Sequence, residues 1–249
     1  MAAILQARNI RKVFAGFAAI DGVSIDIEEG HIHAIIGPNG AGKTTFFNVL
    51  SGFLRATEGS ITFKGQDITP LQPAQVARLG LIRSFQITSI FPYLNVLDNV
   101  KVSLEAKTEL PFRFWAPGSA TDRLNDRAMS ILEEVGLAST ASLLAAQLSY
   151  GHKRCLELAI SIAQDPVVML LDEPTAGMGM EDVGRVTELI ARTAKGRTVV
   201  FVEHNLRVVS ELCDRITVLQ RGTVLVEGTY DEVRKDQRVI DAYLGGGNA

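Results

Sequence analysis

An α/β fold interrupted by a helical insertion is what this sequence predicts, and three observations carry that expectation. A glycine-rich loop, Gly37 to Thr45 (GPNGAGKTT), follows directly on the apolar run Ile32–Ile36. A second apolar run, Val167–Leu171, ends in the acidic pair Asp172–Glu173. Between the two, from Asn95 to about Ala163, strand-like texture gives way to helical texture. Residues 1–94 and 164–249 therefore read as a core of alternating strands and helices, and residues 95–163 as a helical insertion.

In chain order, the β-rich runs Leu5–Val13, Val23–Ile27, His31–Ile36 and Ser60–Phe63 come first, punctuated by Gly16, Gly22, Gly30 and Gly59. Thr44–Ser51 reads as the helix that follows the glycine-rich loop. The helical stretch is broken once, at Glu109–Ser119 (ELPFRFWAPGS). Pro111, Pro117, Gly118 and the only tryptophan mark that break as a loop. Ser149 is placed to cap a helix over Lys153–Ala163. Alternation resumes with the strands Val167–Leu171, Thr198–Val202 and Ile216–Gln220. Val239–Gly245 reads as a short helix packed back on the core, and Gly245–Ala249 as a disordered tail. No internal repeat and no long heptad run is present. His31 and His33, two apart, would share one face of a half-exposed strand.

Bulk properties narrow the function classes. A chain of 249 residues can bury a sizeable core. A net charge of −3 argues against a general nucleic-acid binder, which needs clustered Lys and Arg. Cys155 and Cys213 form neither a metal spacing nor a disulfide framework, and read as small apolar residues of a reduced compartment. The N-terminal apolar run is too short for a signal peptide. No stretch approaches the roughly 20 apolar residues that cross a membrane. A soluble chain is expected, with any membrane association made through a partner.

The loop matches the spacing G-x-x-x-x-G-K-[ST] through Gly37, Gly42, Lys43 and Thr44. Such a loop wraps backbone N–H groups around phosphates and hands the anion to a helix start. The candidate cradle is Gly37, Pro38, Asn39, Gly40, Ala41, Gly42, Lys43, Thr44 and Thr45. In it Lys43 would reach the terminal phosphates and the Thr44 hydroxyl would hold Mg²⁺. Five apolar residues ending in Asp172 and Glu173 suit a buried central strand that delivers two carboxylates at the ligand-binding edge. One would enter the Mg²⁺ shell and the other would orient or deprotonate water. Leu148–His152 (LSYGH) opens the helix capped by Ser149, where a hydroxyl and a glycine N–H make an anion site.

With this pentapeptide between the phosphate loop and VVMLLDEP, the chain resembles an ATP-binding-cassette (ABC) ATPase over essentially its whole length. The resemblance implies a phosphate-loop core with an antiparallel β subdomain and an inserted helical signature subdomain. It implies that Phe14 stacks on adenine, with Phe17 an alternative the sequence does not separate. It assigns Gln86 to sensing Mg²⁺ and the membrane partner, and Ser149 and Gly151 to the γ-phosphate bound by the opposite subunit. By the same resemblance Asp172 belongs to the Mg²⁺ shell, Glu173 is the catalytic base and His204 the switch histidine on the γ-phosphate. Ala176–Gly179 falls at the dimer-contacting loop. Departures are Tyr150 and His152 within the signature, and AGMG where an aspartate usually closes the dimer loop.

Ser89–Val100 (SIFPYLNVLDNV), the AGMG loop, Glu203–Asn205 (EHN) and the closing VIDAYLGG resemble the ATP-binding subunits of bacterial branched-chain amino-acid importers and of relatives that import amides, urea or aromatic acids. Lipopolysaccharide-export ATPases share much of the pattern and are the rival within the class. The resemblance implies ATP and Mg²⁺ as cofactors. Its implied partners are transmembrane permease subunits, a second ATP-binding subunit and a separate substrate-binding protein. It also implies a peripheral position at the cytoplasmic face of the bacterial inner membrane. Ile87, Ile90, Phe91 and Tyr93 are expected to help line the permease-facing groove near Gln86. A DNA-maintenance ATPase would insert a long coiled coil, and a GTPase would carry N-K-x-D. Neither is present.

Overall fold

The computed structural model describes residues 3–84, 90–107 and 118–244. Strands β1 (Ala3–Phe14) and β2 (Phe17–Glu28) form a long hairpin, and β3 (Ile32–Ile36) leads through the glycine-rich loop into α1 (Lys43–Leu50). Next come β4 (Glu58–Phe63), β5 (Gln66–Asp67), α2 (Pro73–Arg78) and β6 (Leu81–Ser84). Helices α3 (Val96–Lys107), α4 (Gly118–Glu134) and α5 (Tyr150–Ala163) follow before β7 (Val168–Asp172). The chain ends through α6 (Met180–Thr193), β8 (Thr198–Val202), α7 (Leu206–Leu212), β9 (Arg215–Gln220), β10 (Thr223–Gly228), α8 (Tyr230–Val233) and α9 (Gln237–Leu244).

Two sheets result. One is antiparallel, in the order β2-β1-β4-β5. The other runs β10-β9-β3-β8-β7-β6, parallel except for the antiparallel edge strand β10. A strand buried on both faces reads as an unbroken apolar run, because residues of either parity meet hydrophobic neighbours. In β7, Met169 and Leu171 enter one core cluster and Val168 and Leu170 the other. In β8, Val199 and Phe201 face the first cluster and Val200 and Val202 the second. The first cluster is closed by α3 to α6, through residues such as Val100, Ile131, Leu156 and Ile190. The second is closed by Phe46, Phe47 and Leu50 of α1 and by the hairpin residues Leu5, Ile10, Ile20 and Ile25. The phosphate loop thus sits where the parallel sheet meets the antiparallel one.

Several elements differ from the sequence reading. β6 is a four-residue strand carrying Arg83, too short and too polar to announce itself. β10 returns from β9 through Arg221 and Gly222, both at positive φ, the geometry of a tight hairpin turn. Of the interruption at Glu109–Ser119, only Gly118 and Ser119 are described, and they open α4. Trp115 and the tail Gly245–Ala249 lie outside the described residues. Cys155 is buried and Cys213 partly so, and burial pushes both thiols up.

The expectation of a half-exposed histidine face is corrected. β3 begins at Ile32 and is a central buried strand, so His33 is enclosed while His31 stays outside it. His33 Nε2 lies 2.8 Å from Thr217 Oγ1 on β9. Burial first, then the charges of Arg215 and His31, hold its pKa down to about 3. The unfolded chain protonates this ring near 6.5, so between those values the native state binds fewer protons than the unfolded one. His33 therefore leaves stability intact above pH 6.5 and removes it as pH falls toward 3. Urea unfolding should show wild type losing about 2 kcal/mol between pH 7 and pH 5 from this group, and His33→Gln should lack that component.

Candidate functional site

The glycine-rich loop owes its shape to packing on both sides. A Cβ on Gly37 would stand 2.1 Å from the Leu219 carbonyl oxygen at the end of β9. One on Gly42 would stand 2.6 Å from the Ala19 carbonyl oxygen and 2.7 Å from Ile20 Cδ1 on β2. The loop is further tied to the β9–β10 turn, where Gly222 N–H donates to Ala41 O at 3.0 Å. Lys43 opens α1 and is buried, its Nζ donating to Gly37 O at 2.7 Å and Pro38 O at 3.0 Å. Burial lowers its pKa, while Glu173 and Asp172 pull the other way. Lys43 therefore stands within electrostatic reach of both carboxylates. Thr44 is exposed and Thr45 half-buried on the first turn of α1.

Asp172 is the last residue of β7, its side chain fully enclosed. A buried carboxylate needs compensation, and here Arg83 of β6 supplies it through Nη2 to Oδ2 at 2.7 Å. Arg83 is itself fixed by Nη1 donating to Asn48 Oδ1 and Ser51 Oγ, and its guanidinium packs near the rings of Phe47 and Phe53. With Oδ2 occupied, Oδ1 is left buried and without a hydrogen-bond partner. That is the atom a hard cation would use.

Glu173 follows at φ 48, a left-handed conformation that costs a non-glycine residue roughly 1–2 kcal/mol. Its N–H donates to Val202 O at 3.0 Å, which turns the side chain off the end of the sheet. There Oε1 lies 2.9 Å from Nε2 of His204, the exposed second residue after β8. The two candidate hydrolytic residues, 31 positions apart in sequence, are in direct contact.

At the signature, Ser149 caps α5 and accepts from His152 N–H at 3.3 Å, and its Oγ lies 3.1 Å from His152 Nδ1. Gly151 is buried against α6, where a Cβ would stand 2.7 Å from Asp182 Oδ1. Tyr150, the departure from the family pattern, donates its hydroxyl to Ala176 O at 2.9 Å and accepts from Arg154 Nη2 at 3.0 Å. The start of α5 is thereby fastened to the loop after Glu173. Gln86 and Ile87 lie outside the described residues. Phe14 and Phe17 are paired across the tip of the β1–β2 hairpin, both exposed, with Lys12 Nζ 5.0 Å from the Phe14 ring centroid. Ile90 is partly buried against the core, while Phe91 and Tyr93 are exposed.

Sequence reasoning missed Arg83 and the buried Glu203. For the first there was no local signal, because β6 is four residues long and half polar. For the second the signal was an acid directly after the strand-like run Thr198–Val202, the pattern that also marks Asp172 after Val167–Leu171.

A family model described as ABC transporter matches residues 20–176, well over half of the chain. The chain belongs to the ABC transporter family. It is a nucleotide-binding, ATP-hydrolysing cassette. A second model, described as branched-chain amino acid ATP-binding cassette transporter, matches residues 223–249. The cassette is 37% identical to the high-affinity branched-chain amino acid transport ATP-binding protein LivG of Salmonella typhimurium, over 97% of this chain and 98% of that protein. It is 35% identical to the protein of the same description, BraF, of Pseudomonas aeruginosa, with the same two coverages. Among solved structures, the ADP conformation of an ATP-binding cassette of an ABC transporter superposes with a TM-score of 0.88 at 32% identity, covering 98% of this chain and 100% of that one.

The Arg83–Asp172 pair gives a direct stability test. Arg83→Met strands a buried carboxylate and should cost about 3 kcal/mol in urea unfolding, most of it recovered when Asp172→Asn is added.

Proposed function

We propose that this cassette drives import of branched-chain amino acids, or of related amides and small organic acids. The observation that carries this reading is the full-length likeness to LivG and BraF, reinforced by the C-terminal model match. The lipopolysaccharide-export and DNA-maintenance alternatives have no comparable support. Among the described residues no helix is long and apolar enough to cross a membrane. On the likeness to LivG and BraF, the cassette is assigned to the cytoplasmic face of the inner membrane, docked on permease subunits whose cargo a separate binding protein delivers. Phe91 and Tyr93, exposed beside the segment that carries Gln86, contribute to that docking face. Residues 1–94 and 164–249 serve as the nucleotide core and 95–163 as the signature-bearing insertion.

In this reading the N–H groups of Gly37–Thr45 cradle the phosphates and Lys43 neutralises them on releasing its loop carbonyls. Mg²⁺ would be held by Thr44, Asp172 through its unpartnered Oδ1, and Gln86, and when bound would neutralise charge on the β- and γ-phosphates. A single carboxylate suffices, because Mg²⁺ is commonly held by one or two acids together with substrate phosphates. Glu173 polarises the attacking water, and His204, in contact with it, steadies the γ-phosphate. Ser149 and Gly151 act on the nucleotide of a second cassette, identical or related, so that two subunits complete each other's sites. Release of phosphate removes the charge bridging them.

Glu173→Gln should bind ATP as wild type does, lose hydrolysis by about 100-fold or more, and shift to a dimer with Mg²⁺ and ATP in light scattering. Retained hydrolysis would sink the assignment of Glu173. Phe14→Ala should weaken ATP binding by about tenfold in calorimetry if Phe14 stacks on adenine, with Phe17→Ala near neutral. The reverse order would transfer the role to Phe17.

A further inference from the structure

Glu203 is the first residue after β8 and is only 3% exposed. Its carboxylate collects four hydrogen bonds from neutral donors. Oε1 accepts from the N–H of Thr175 at 3.1 Å and, at short range, from the Thr175 hydroxyl. Oε2 accepts from the N–H groups of His204 at 2.8 Å and Asn205 at 3.0 Å. A buried charge is retained only where donors replace its water, and these donors come from two separate segments. Thr175 stands two residues after Glu173, and His204 bears the ring that touches Glu173. The contacts form a closed circuit. It runs from Glu173 along the backbone to Thr175, across the Glu203 carboxylate to His204, and back through the 2.9 Å contact to Glu173. A second tie, Glu173 N–H to Val202 O, anchors the same corner.

We propose that Glu203 is a positioning residue for ATP hydrolysis, a buried carboxylate clamp that fixes the Glu173 loop against the His204 loop and so sets the geometry of the pair. It acts through Thr175 and His204, whose donors occupy both of its oxygens. Two things make it more than a loop cap. Its two oxygens divide the work: Oε1 bridges to Thr175 on the other loop, and Oε2 pins the carboxylate to the backbone of its own loop, so losing either half loosens the tie. The residue it immobilises on the far side, Thr175, stands two residues beyond the strained corner at Glu173, where φ is 48. A left-handed non-glycine residue persists only when its surroundings over-determine it. Glu203 supplies that determination from one side, and the Tyr150 hydroxyl on Ala176 O supplies it from the other.

The inference rests on reading Glu173 and His204 as the hydrolytic pair, and the test separates the two ideas. Steady-state ATPase kinetics on the full chain would compare wild type, Glu173→Gln, Glu203→Gln and Thr175→Val, with thermal unfolding run in parallel. An amide at position 203 must turn its NH₂ toward one pair of donors and so opens one half of the clamp. Glu203→Gln should lower kcat by about 10- to 100-fold while KM for ATP stays within about threefold, since a misplacement of about 1 Å can cost that much. Thr175→Val, which removes one donor and keeps side-chain volume, should lower kcat in the same sense. The double variant should be no worse than Glu203→Gln, because both act through one contact. If Glu173→Gln abolishes turnover but both clamp variants keep kcat within about twofold, the clamp is wrong and the pair stands. If Glu173→Gln itself hydrolyses normally, the underlying site reading is wrong. Should Glu203→Gln fail to fold, Thr175→Val alone decides. An unchanged kcat there overturns the clamp, and a fall in kcat at constant KM supports it.

Discussion

Charge placed at the carboxyl ends of strands buried on both faces is the constraint from which the rest of the site follows. A parallel sheet sandwiched between two apolar layers offers no water at the last strand residues, so each ionised group there must find a partner within the protein. Asp172 has Arg83, Glu203 has four neutral donors, and Lys43 has two loop carbonyls. Glu173, one step further out, has His204. Asp172, Glu173 and, through Thr175, Glu203 each take at least one partner from a different segment of the chain. Satisfying the charges therefore also fixes β6, β7, the loop after β8 and the helix α1 relative to one another. Stability and preorganisation are the same set of contacts.

The phosphate loop is constrained from behind as well as by its chemistry. The backbones of β2 and β9 leave no space for side chains at Gly42 and Gly37, so these glycines are needed to bring the two sheets together before any phosphate is considered. Nucleotide binding and sheet–sheet packing draw on the same residues. A loop held this rigidly presents its N–H groups with little left to order on binding, which is the structural meaning of a preorganised anion site.

The order of elements, the glycine loop and the acidic strand end were legible because each has a local signature. An unbroken apolar run means two buried faces, and a glycine spacing means a phosphate turn. What was not legible depended on contacts between distant segments. β6 escaped notice because its meaning lies in pairing with β7 and in the reach of Arg83 to Asp172. His33 looked half-exposed because alternation was read on one strand alone, whereas β3 lies between β8 and β9 and the ring is enclosed against Thr217. The contact between Glu173 and His204 and the convergence on Glu203 are three-dimensional facts with no periodicity to betray them. Tyr150 was visible as a departure, but its bond to Ala176 was not.

The strand order has a consequence for how the chain is born. β3 sits at the centre of the parallel sheet, yet both of its neighbours, β8 and β9, come from the last quarter of the sequence. The tie from Gly30 N–H to Thr198 Oγ1 at its edge spans 168 residues. A ribosome releasing this chain from the N-terminus exposes the apolar run Ile32–Ile36 long before the strands that will flank it exist. Long-range parallel pairing of this kind is slow to form and leaves strand edges open meanwhile. The local β1–β2 hairpin can close early, but the phosphate loop cannot acquire its final backing until β9 emerges. Both β8 and β9 must therefore have left the ribosome before the phosphate loop has its final backing.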